Sequence, residues 1–157
     1  KDVPAGANVV LALDGSFNGD STALVGVVVP DDIDVDGNFL PSPHIFVAGA
    51  WERPPNADEH WSVDILDVEA RVRECAKTWN VKEIACDPYR WQRTMAVLEE
   101  ERLPVVEFPQ TATRMAPATT RFYEACVNKE LTHDGDKRLA RHIAGAESKH
   151  SCFSWER

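Results

Sequence analysis

The 157-residue sequence has little of what marks secreted, zinc-binding or membrane proteins. Its four cysteines lie far apart, with no C-x-x-C pair, which argues against a zinc site and against a disulfide framework. No apolar run approaches the ~20 residues that a membrane helix needs, and no signal-peptide pattern opens the chain. We therefore expect a reducing, intracellular setting and no membrane partner.

Basic residues are also in the minority. The chain has 17 Lys and Arg against 26 Asp and Glu, which gives a formal net charge of -9. This balance alone argues against a general nucleic-acid binder, whose surface is usually basic. The balance is uneven, however, because residues 137–142, KRLARH, form a local basic block. A cluster of acids makes the formal net charge more negative. If it binds divalent cations, however, the electrostatic potential around the cluster becomes positive.

The length of the chain favours one domain with a substantial core. Residues 1–8 contain Pro and Gly without hydrophobic periodicity, which is typical of a linker or a frayed end. We expect a single domain over residues 9–157. Since the first residue is Lys1 rather than Met, we expect an excerpt of a longer protein.

Apolar runs typical of strands dominate the first third of the sequence, and helical spacing appears later. The predicted strands are 9–13, 23–29, 44–51, 82–86 and 105–108, with a candidate strand at 151–157. The predicted helices are 64–79, 90–102, 118–131 and 137–146, with an acidic loop at 30–43 and a turn at 132–136. This order predicts an α/β fold whose mixed sheet has a three-strand antiparallel meander, then alternating helices and strands, with helices on both faces.

Two acidic residues stand where apolar strands end, Asp14 after residues 9–13 and Asp87 after residues 82–86. In an open sheet with helices on its faces, sites gather at strand ends. If these two strands are neighbours, the carboxylates would repel each other unless a cation lies between them. Mg²⁺ and Mn²⁺ prefer such oxygen ligands. A pair of these ions ~4 Å apart stabilises both the attacking and the leaving oxygen when a phosphodiester is cleaved.

Each acid also has an ordinary structural explanation. Asp14 precedes a Gly-Ser turn, and Asp87 precedes a proline and could cap a helix. Asp20 could supply a further metal ligand or only a hydrogen bond within its turn.

Three stretches together resemble the nuclease domain of the large terminase subunit of tailed bacteriophages. They are LALDGSFNGDSTALVGVVV, EIACDPYRWQRTMAVLEEERLPVVEFPQ and LTHDGDKRLARHIAGA, and the resemblance runs from about residue 9 to 146. It implies an RNase H-like fold. It also implies a hydrolase activity, the divalent-metal-dependent endonucleolytic cleavage of concatemeric phage DNA during genome packaging.

The resemblance assigns the family's acids to positions in this chain. Asp14 corresponds to the acid on the first strand, Asp87 to the acid on the fourth, and Asp20 to an additional acid that assists a metal. The family completes this cluster with an Asp on a helix near the carboxyl terminus. We expect that acid to lie beyond Arg157, so that the domain is truncated at its carboxyl end. The alternative is that Asp134 or Asp136 substitutes for it, although a turn and a helix cap also explain both residues.

The resemblance further implies two Mg²⁺ or Mn²⁺ ions and double-stranded DNA as the substrate. It implies as partners a packaging ATPase domain of the same subunit, the small terminase subunit and the portal, all in the cytoplasm of an infected bacterium. This chain has no G-x-x-x-x-G-K-[ST] loop, so it corresponds to the nuclease half. Candidate DNA-phosphate contacts, each of which could instead be a solvated surface charge, are Arg90, Arg93, Arg114, Lys137, Arg138 and Arg141.

Two other functions fit parts of the sequence. An actin-like or sugar-kinase-like phosphotransferase could use the Gly- and Ser-rich turn after Asp14 to hold phosphate, but that fold needs a second half. A catalytically incomplete module of the nuclease fold could position DNA or dock on the portal. His133 and His142 could assist protons or metals, although a lone histidine is more often a structural or surface residue.

Overall fold

A six-stranded mixed sheet organises the residues that the computed structural model describes, 3–15, 21–29, 42–58 and 60–145. The strands are β1 (Asn8–Gly15), β2 (Thr22–Val28), β3 (His44–Trp51), β4 (Asn80–Cys86), β5 (Val105–Glu107) and β6 (Thr132–His133). The helices are α1 (Ile65–Thr78), α2 (Pro88–Glu100), α3 (Ala112–Val127) and α4 (Lys137–Ala144). None of these helices is long and apolar enough to span a membrane.

The strand order is β5-β4-β1-β2-β3-β6. Strands β1, β2 and β3 pair antiparallel, which confirms the predicted meander. Strand β4 pairs parallel with β1, and β5 pairs parallel with β4. Consequently β1, β3, β4 and β5 all run the same way, and their carboxyl ends lie at one edge of the sheet.

One face of the sheet carries the hydrophobic core. Side chains alternate along a strand, so Leu11 and Leu13 of β1 and Leu24 of β2 share this face, each at most 2% exposed. Helices α1 and α2 cover it with fully buried residues, among them Val68 and Trp91. Removing such side chains from water is the main favourable contribution to folding.

The opposite face is covered less closely. Val25 and Val27 point away from the core and, with Leu139 and Ile143 of α4, line an apolar cavity of about 690 Å³. Helices α3 and α4 contain no buried residue. Helices therefore lie on both faces, as predicted, but the main core forms on only one of them.

Helix α3 differs from the prediction at both ends. It was predicted over 118–131, but it spans Ala112–Val127 with Pro117 inside. A proline early in a helix removes one backbone hydrogen bond and leaves the rest of the helix possible. The helix ends sooner because Lys129 adopts a positive φ of 58°, and Glu130 N donates to Ala125 O across the end.

The predicted turn at 132–136 was wrong in its first two residues. Thr132 and His133 form β6, which pairs parallel with His44 and Ile45 of β3. A two-residue strand is too short to show a hydrophobic period, so only the tertiary contact defines it. The candidate strand at 151–157 and most of the predicted loop at 30–43 lie outside the described residues.

A buried carboxylate joins the two core helices. Glu69 on α1 is only 2% exposed, and its Oε1 accepts hydrogen bonds from Arg93 Nη1 (3.0 Å) and Thr94 Oγ1 (3.1 Å) on α2. Arg73 Nη2 lies 3.4 Å from its Oε2 and also pairs with Glu101 at the end of α2. Because a buried charge requires such partners, this network holds α1 and α2 in one arrangement.

Replacing Glu69 with alanine should destabilise the protein by about 1–3 kcal/mol, since the buried Thr94 hydroxyl loses its partner. Urea unfolding measures the change as a lower midpoint. The matched control is Glu74→Ala on the same helix, where the exposed pair with Arg71 should contribute less than about 0.5 kcal/mol. Equal midpoint shifts for the two variants would contradict this role of Glu69.

Candidate metal centre at the sheet edge

Parallel pairing brings the two predicted acids to equivalent positions. The last pair in the β1–β4 ladder is Leu13 with Cys86, so Asp14 and Asp87 both follow it. Neighbouring strands lie about 4.8 Å apart. The register shifts between Val9 and Val10, which pair with Val81 and Glu83 respectively. Without this one-residue irregularity Asp14 would stand opposite Cys86.

Asp14 is exposed at the end of β1 and is oriented from two sides. Its Oδ1 accepts hydrogen bonds from Gly15 N (2.8 Å) and from Gln110 Nε2 (2.9 Å). Gly15 is required here because a Cβ on it would lie 2.5 Å from Cα of Thr22 on β2. No described residue donates a hydrogen bond to Oδ2.

Asp87 starts helix α2 as its N-cap. Its Oδ1 accepts a hydrogen bond from Tyr89 N at 3.1 Å, and Pro88 occupies the first helical position. The capping explanation of this residue is therefore correct, and it leaves Oδ2 without a donor among the described residues. Burial raises the pKa of the preceding Cys86 thiol to about 12, so this sulfur stays protonated and offers no thiolate.

A pocket of about 350 Å³ opens beside Asp14 on the side of the sheet that faces α4. Its lining combines the carboxylates of Asp14 and Glu52 with Arg138 and His142 of α4. Since Arg138 and His142 are one helical turn apart, the same face of α4 presents both. The pocket therefore offers oxygen ligands for a cation and, beside them, donors for an anionic group.

Glu52 is a site residue that the sequence reasoning did not select. It directly follows β3, just as Asp87 follows β4, and β3 ends at the same sheet edge, so the strand-end signal applied to Asp14 would have found it. Glu52 Oε1 pairs with Arg141 and lies 2.7 Å from Nε2 of His142. The hydrogen bonds from Arg141 and then from His142 lower the pKa of the Glu52 carboxyl.

Asp134 and Asp136 accept hydrogen bonds from β3, from each other's segment and from the start of α4. Asp134 Oδ2 accepts from Val47 N (2.9 Å), while its Oδ1 accepts from Asp136 N. Asp136 caps α4 through Arg138 N and Leu139 N, and its side-chain hydrogen bond with Arg138 lowers its pKa to about 2. These contacts agree with the turn and cap explanation.

The donor set at the sheet edge suits a hard divalent cation but is small. Mg²⁺ is often held by one or two carboxylates together with water and substrate phosphate, which Asp14 and Asp87 could provide. Among the residues that the structure describes, no three His, Cys, Asp or Glu side chains converge on one point to hold a metal. Asp20, the additional predicted ligand, lies outside the described residues.

Most of the predicted DNA-contact residues have partners within the protein. Arg93 pairs with the buried Glu69, Arg138 with Asp136, and Arg141 with Glu52. Arg114 Nη1 donates to Glu107 O at 3.3 Å, and its guanidinium lies 5.5 Å from the centre of the Phe108 ring. Arg90 and Lys137 are exposed. None of these residues loses its candidate status, since an exposed arginine can contact a phosphate and a carboxylate together.

The fold is that of the RNase H-like class, a mixed sheet with acids at the ends of central parallel strands. The crystal structure of the HK97 bacteriophage large terminase matches it with a TM-score of 0.67 and 22% sequence identity. The match covers 87% of this chain and 32% of that terminase, so this chain spans about a third of its length.

The sequence itself identifies the family. The family model described as "Terminase large subunit, endonuclease domain" matches residues 52–154. The chain belongs to this family, as the resemblance predicted. No curated protein matches the chain. Membership favours the nuclease over the phosphotransferase alternative.

Glu52→Gln should loosen α4, because Arg141 and His142 lose their charged partner. We expect hydrogen-exchange protection of the α4 amides to fall about two- to fivefold at pH 6. A lowered folded-state pKa contributes stability that is complete above the ordinary value of 4.5 and declines below it. The difference between wild type and variant should therefore be complete above pH 4.5 and disappear as the pH falls through the lowered value.

The control is Glu74→Gln on α1. It also removes one carboxylate charge, but Glu74 pairs with Arg71 and not with a residue of α4. Its α4 amides should exchange as in the wild type. Unchanged α4 protection in Glu52→Gln at pH 6 would show that this ion pair does not hold the helix.

Proposed function

We propose that this chain is a divalent-metal-dependent endodeoxyribonuclease that cuts concatemeric DNA for a phage packaging motor. The observation that carries the proposal is the β1–β4 register, which sets Asp14 and Asp87 side by side at the carboxyl ends of two central parallel strands. Membership of the terminase endonuclease family supports the same reaction. The reaction is hydrolysis, in which water adds to phosphorus and one phosphate–sugar bond breaks.

In this proposal Asp14 and Asp87 hold one or two Mg²⁺ or Mn²⁺ ions through the carboxylate oxygens that accept no bond from described residues. Such ions, when bound, supply charge stabilisation at the phosphate and make water a better nucleophile. The protein's own part is to fix the two carboxylates. Hydrogen bonds to Oδ1 from Gly15 and Gln110 orient Asp14, while the cap bond from Tyr89 N orients Asp87.

The basic face of α4 would take the DNA backbone. Arg138 and His142 line the pocket next to Asp14, and Lys137 is exposed at the start of the same helix. Contacts to phosphate fix position on DNA without reading its sequence, which suits cleavage at poorly specified sites. Family membership supports, as further proposals, a packaging ATPase domain, the small terminase subunit and the portal as partners, in the cytoplasm of an infected bacterium.

A second candidate function is a module that binds and positions DNA without cutting it. The observation in its favour is that no group of three potential metal ligands occurs among the described residues. This candidate predicts DNA binding that does not depend on Asp14 or on Asp87. Cleavage and binding must therefore be measured separately.

Asp14→Asn and Asp87→Asn should each reduce nicking of supercoiled plasmid at least about 100-fold, because each removes a charged ligand. The assay compares Mg²⁺, Mn²⁺ and EDTA, and we expect cleavage only with a divalent ion. Glu83→Gln is the matched control, since it removes one charge from the exposed surface of β4 without touching the strand end. It should cut at the wild-type rate.

Two results would overturn the nuclease proposal. One is cleavage that persists in EDTA, and the other is full activity in both Asp variants. If the wild-type protein binds DNA but does not cut it, and both Asp variants bind DNA equally well, the positioning module is favoured instead.

Lys137→Ala should weaken binding to double-stranded DNA about equally for unrelated sequences. The slope of log affinity against log salt should fall by about one, because one phosphate contact is lost. Filter binding at several salt concentrations measures both quantities. Lys82→Ala, at an exposed position near the amino end of β4, is the control and should leave the slope unchanged. An unchanged slope in Lys137→Ala would remove α4 from the DNA-binding surface.

A further inference from the structure

Gln110 lies in a short segment that is fixed at both ends. The segment leaves β5 at Glu107, and Phe108 N continues the sheet by donating to Cys86 O at 2.8 Å. It enters α3 at Thr111, whose N donates to Pro109 O at 2.8 Å. Because Phe108 and Thr111 are held by backbone hydrogen bonds, the backbone of Gln110 has a defined place at this edge of the sheet.

From this segment the Gln110 side chain crosses the sheet edge. Its Nε2 donates to Asp14 Oδ1 at 2.9 Å, a contact between residues 96 positions apart. The strand order β5-β4-β1 puts the end of β4 between them. The amide therefore spans the carboxyl end of β4, where Asp87 begins α2.

The chemistry of an amide suits this place. A lysine or arginine here would orient Asp14 but would also neutralise it and repel a cation. The Gln110 amide donates a hydrogen bond without a charge. Together with Gly15 N, it occupies Oδ1 and leaves Oδ2 to a metal. Groups that hydrogen-bond to a metal ligand fix its orientation and raise the affinity of the site.

We infer that Gln110 is a positioning residue for the Asp14 carboxylate and thereby for the divalent cation. The inference rests on the proposed function, since it requires that Asp14 bind a metal. It adds a residue to the site that neither the strand-end acids nor the basic candidates include. Gln110 itself is exposed, so its role is separable from the stability of the core.

Mn²⁺ binding to the full chain without DNA tests the inference, with free Mn²⁺ measured by electron paramagnetic resonance. We expect Gln110→Ala to weaken Mn²⁺ binding about three- to tenfold. The urea midpoint should stay at the wild-type value. In nicking assays kcat should fall while KM for DNA stays unchanged, because the side chain orients a metal ligand and does not hold DNA.

The control is Gln92→Ala, which makes the same change at the chain's other glutamine, exposed on α2. It should bind Mn²⁺ as the wild type does. Wild-type Mn²⁺ affinity in Gln110→Ala, alongside a loss of binding in Asp14→Asn, would overturn the role of Gln110 alone. If the wild type bound no Mn²⁺, or Asp14→Asn bound it normally, the metal site itself would fail, and this inference with it.

Discussion

The parallel pairing of β1 with β4 is the constraint on which the candidate site depends. At the start of the ladder, Asn80 N donates to Ala7 O and the side chains of Asn8 and Asn80 are hydrogen-bonded. The register irregularity after Val9 then moves β4 by one residue, so that both strands reach their ends together. A bulge of this kind locally redirects a strand, and here it decides that two carboxylates share one position along the sheet edge.

The core helices support this pairing from one side. Helix α2 begins at Asp87, so anything that moves α2 also moves a candidate metal ligand. Its attachment combines the burial of Trp91 and Leu98 with the charged network around Glu69. Packing alone tolerates small sliding of one helix over another, whereas a buried carboxylate with defined donors has few satisfactory positions. We therefore regard the Glu69 network as an indirect support of the site.

Much of the fold could be predicted from the sequence because its signals are local. Val-rich runs bounded by turn residues marked the first three strands, and apolar spacing marked α1 and α2 to within a few residues. The errors arose where local signals mislead or fail. The predicted start of α3 lay after Pro117, which the helix contains, and the two-residue β6 is too short to show a hydrophobic period.

The residues of the candidate site likewise divide into those with a local sequence signal and those without one. Strand-end position selected Asp14 and Asp87, and the same signal would also have selected Glu52, which directly follows β3. Gln110 could not have been found, because its contact with Asp14 joins residues 96 positions apart and leaves no local mark. The arginines were easy to select as DNA-contact candidates, but their partners could not be predicted. An arginine free on the surface and an arginine in an ion pair look the same in the sequence.

By itself, the sequence determined the element types, the meander and the two acids at strand ends, together with the resemblance that led to the terminase endonuclease family. The element types, the meander and the strand-end acids follow from residue type and short-range spacing, whereas the resemblance rests on three particular stretches of sequence. Only the tertiary structure decided the β1–β4 register, the partners of the charged residues and the reach of Gln110. These depend on which distant segments meet, and that is settled by strand pairing and core packing together.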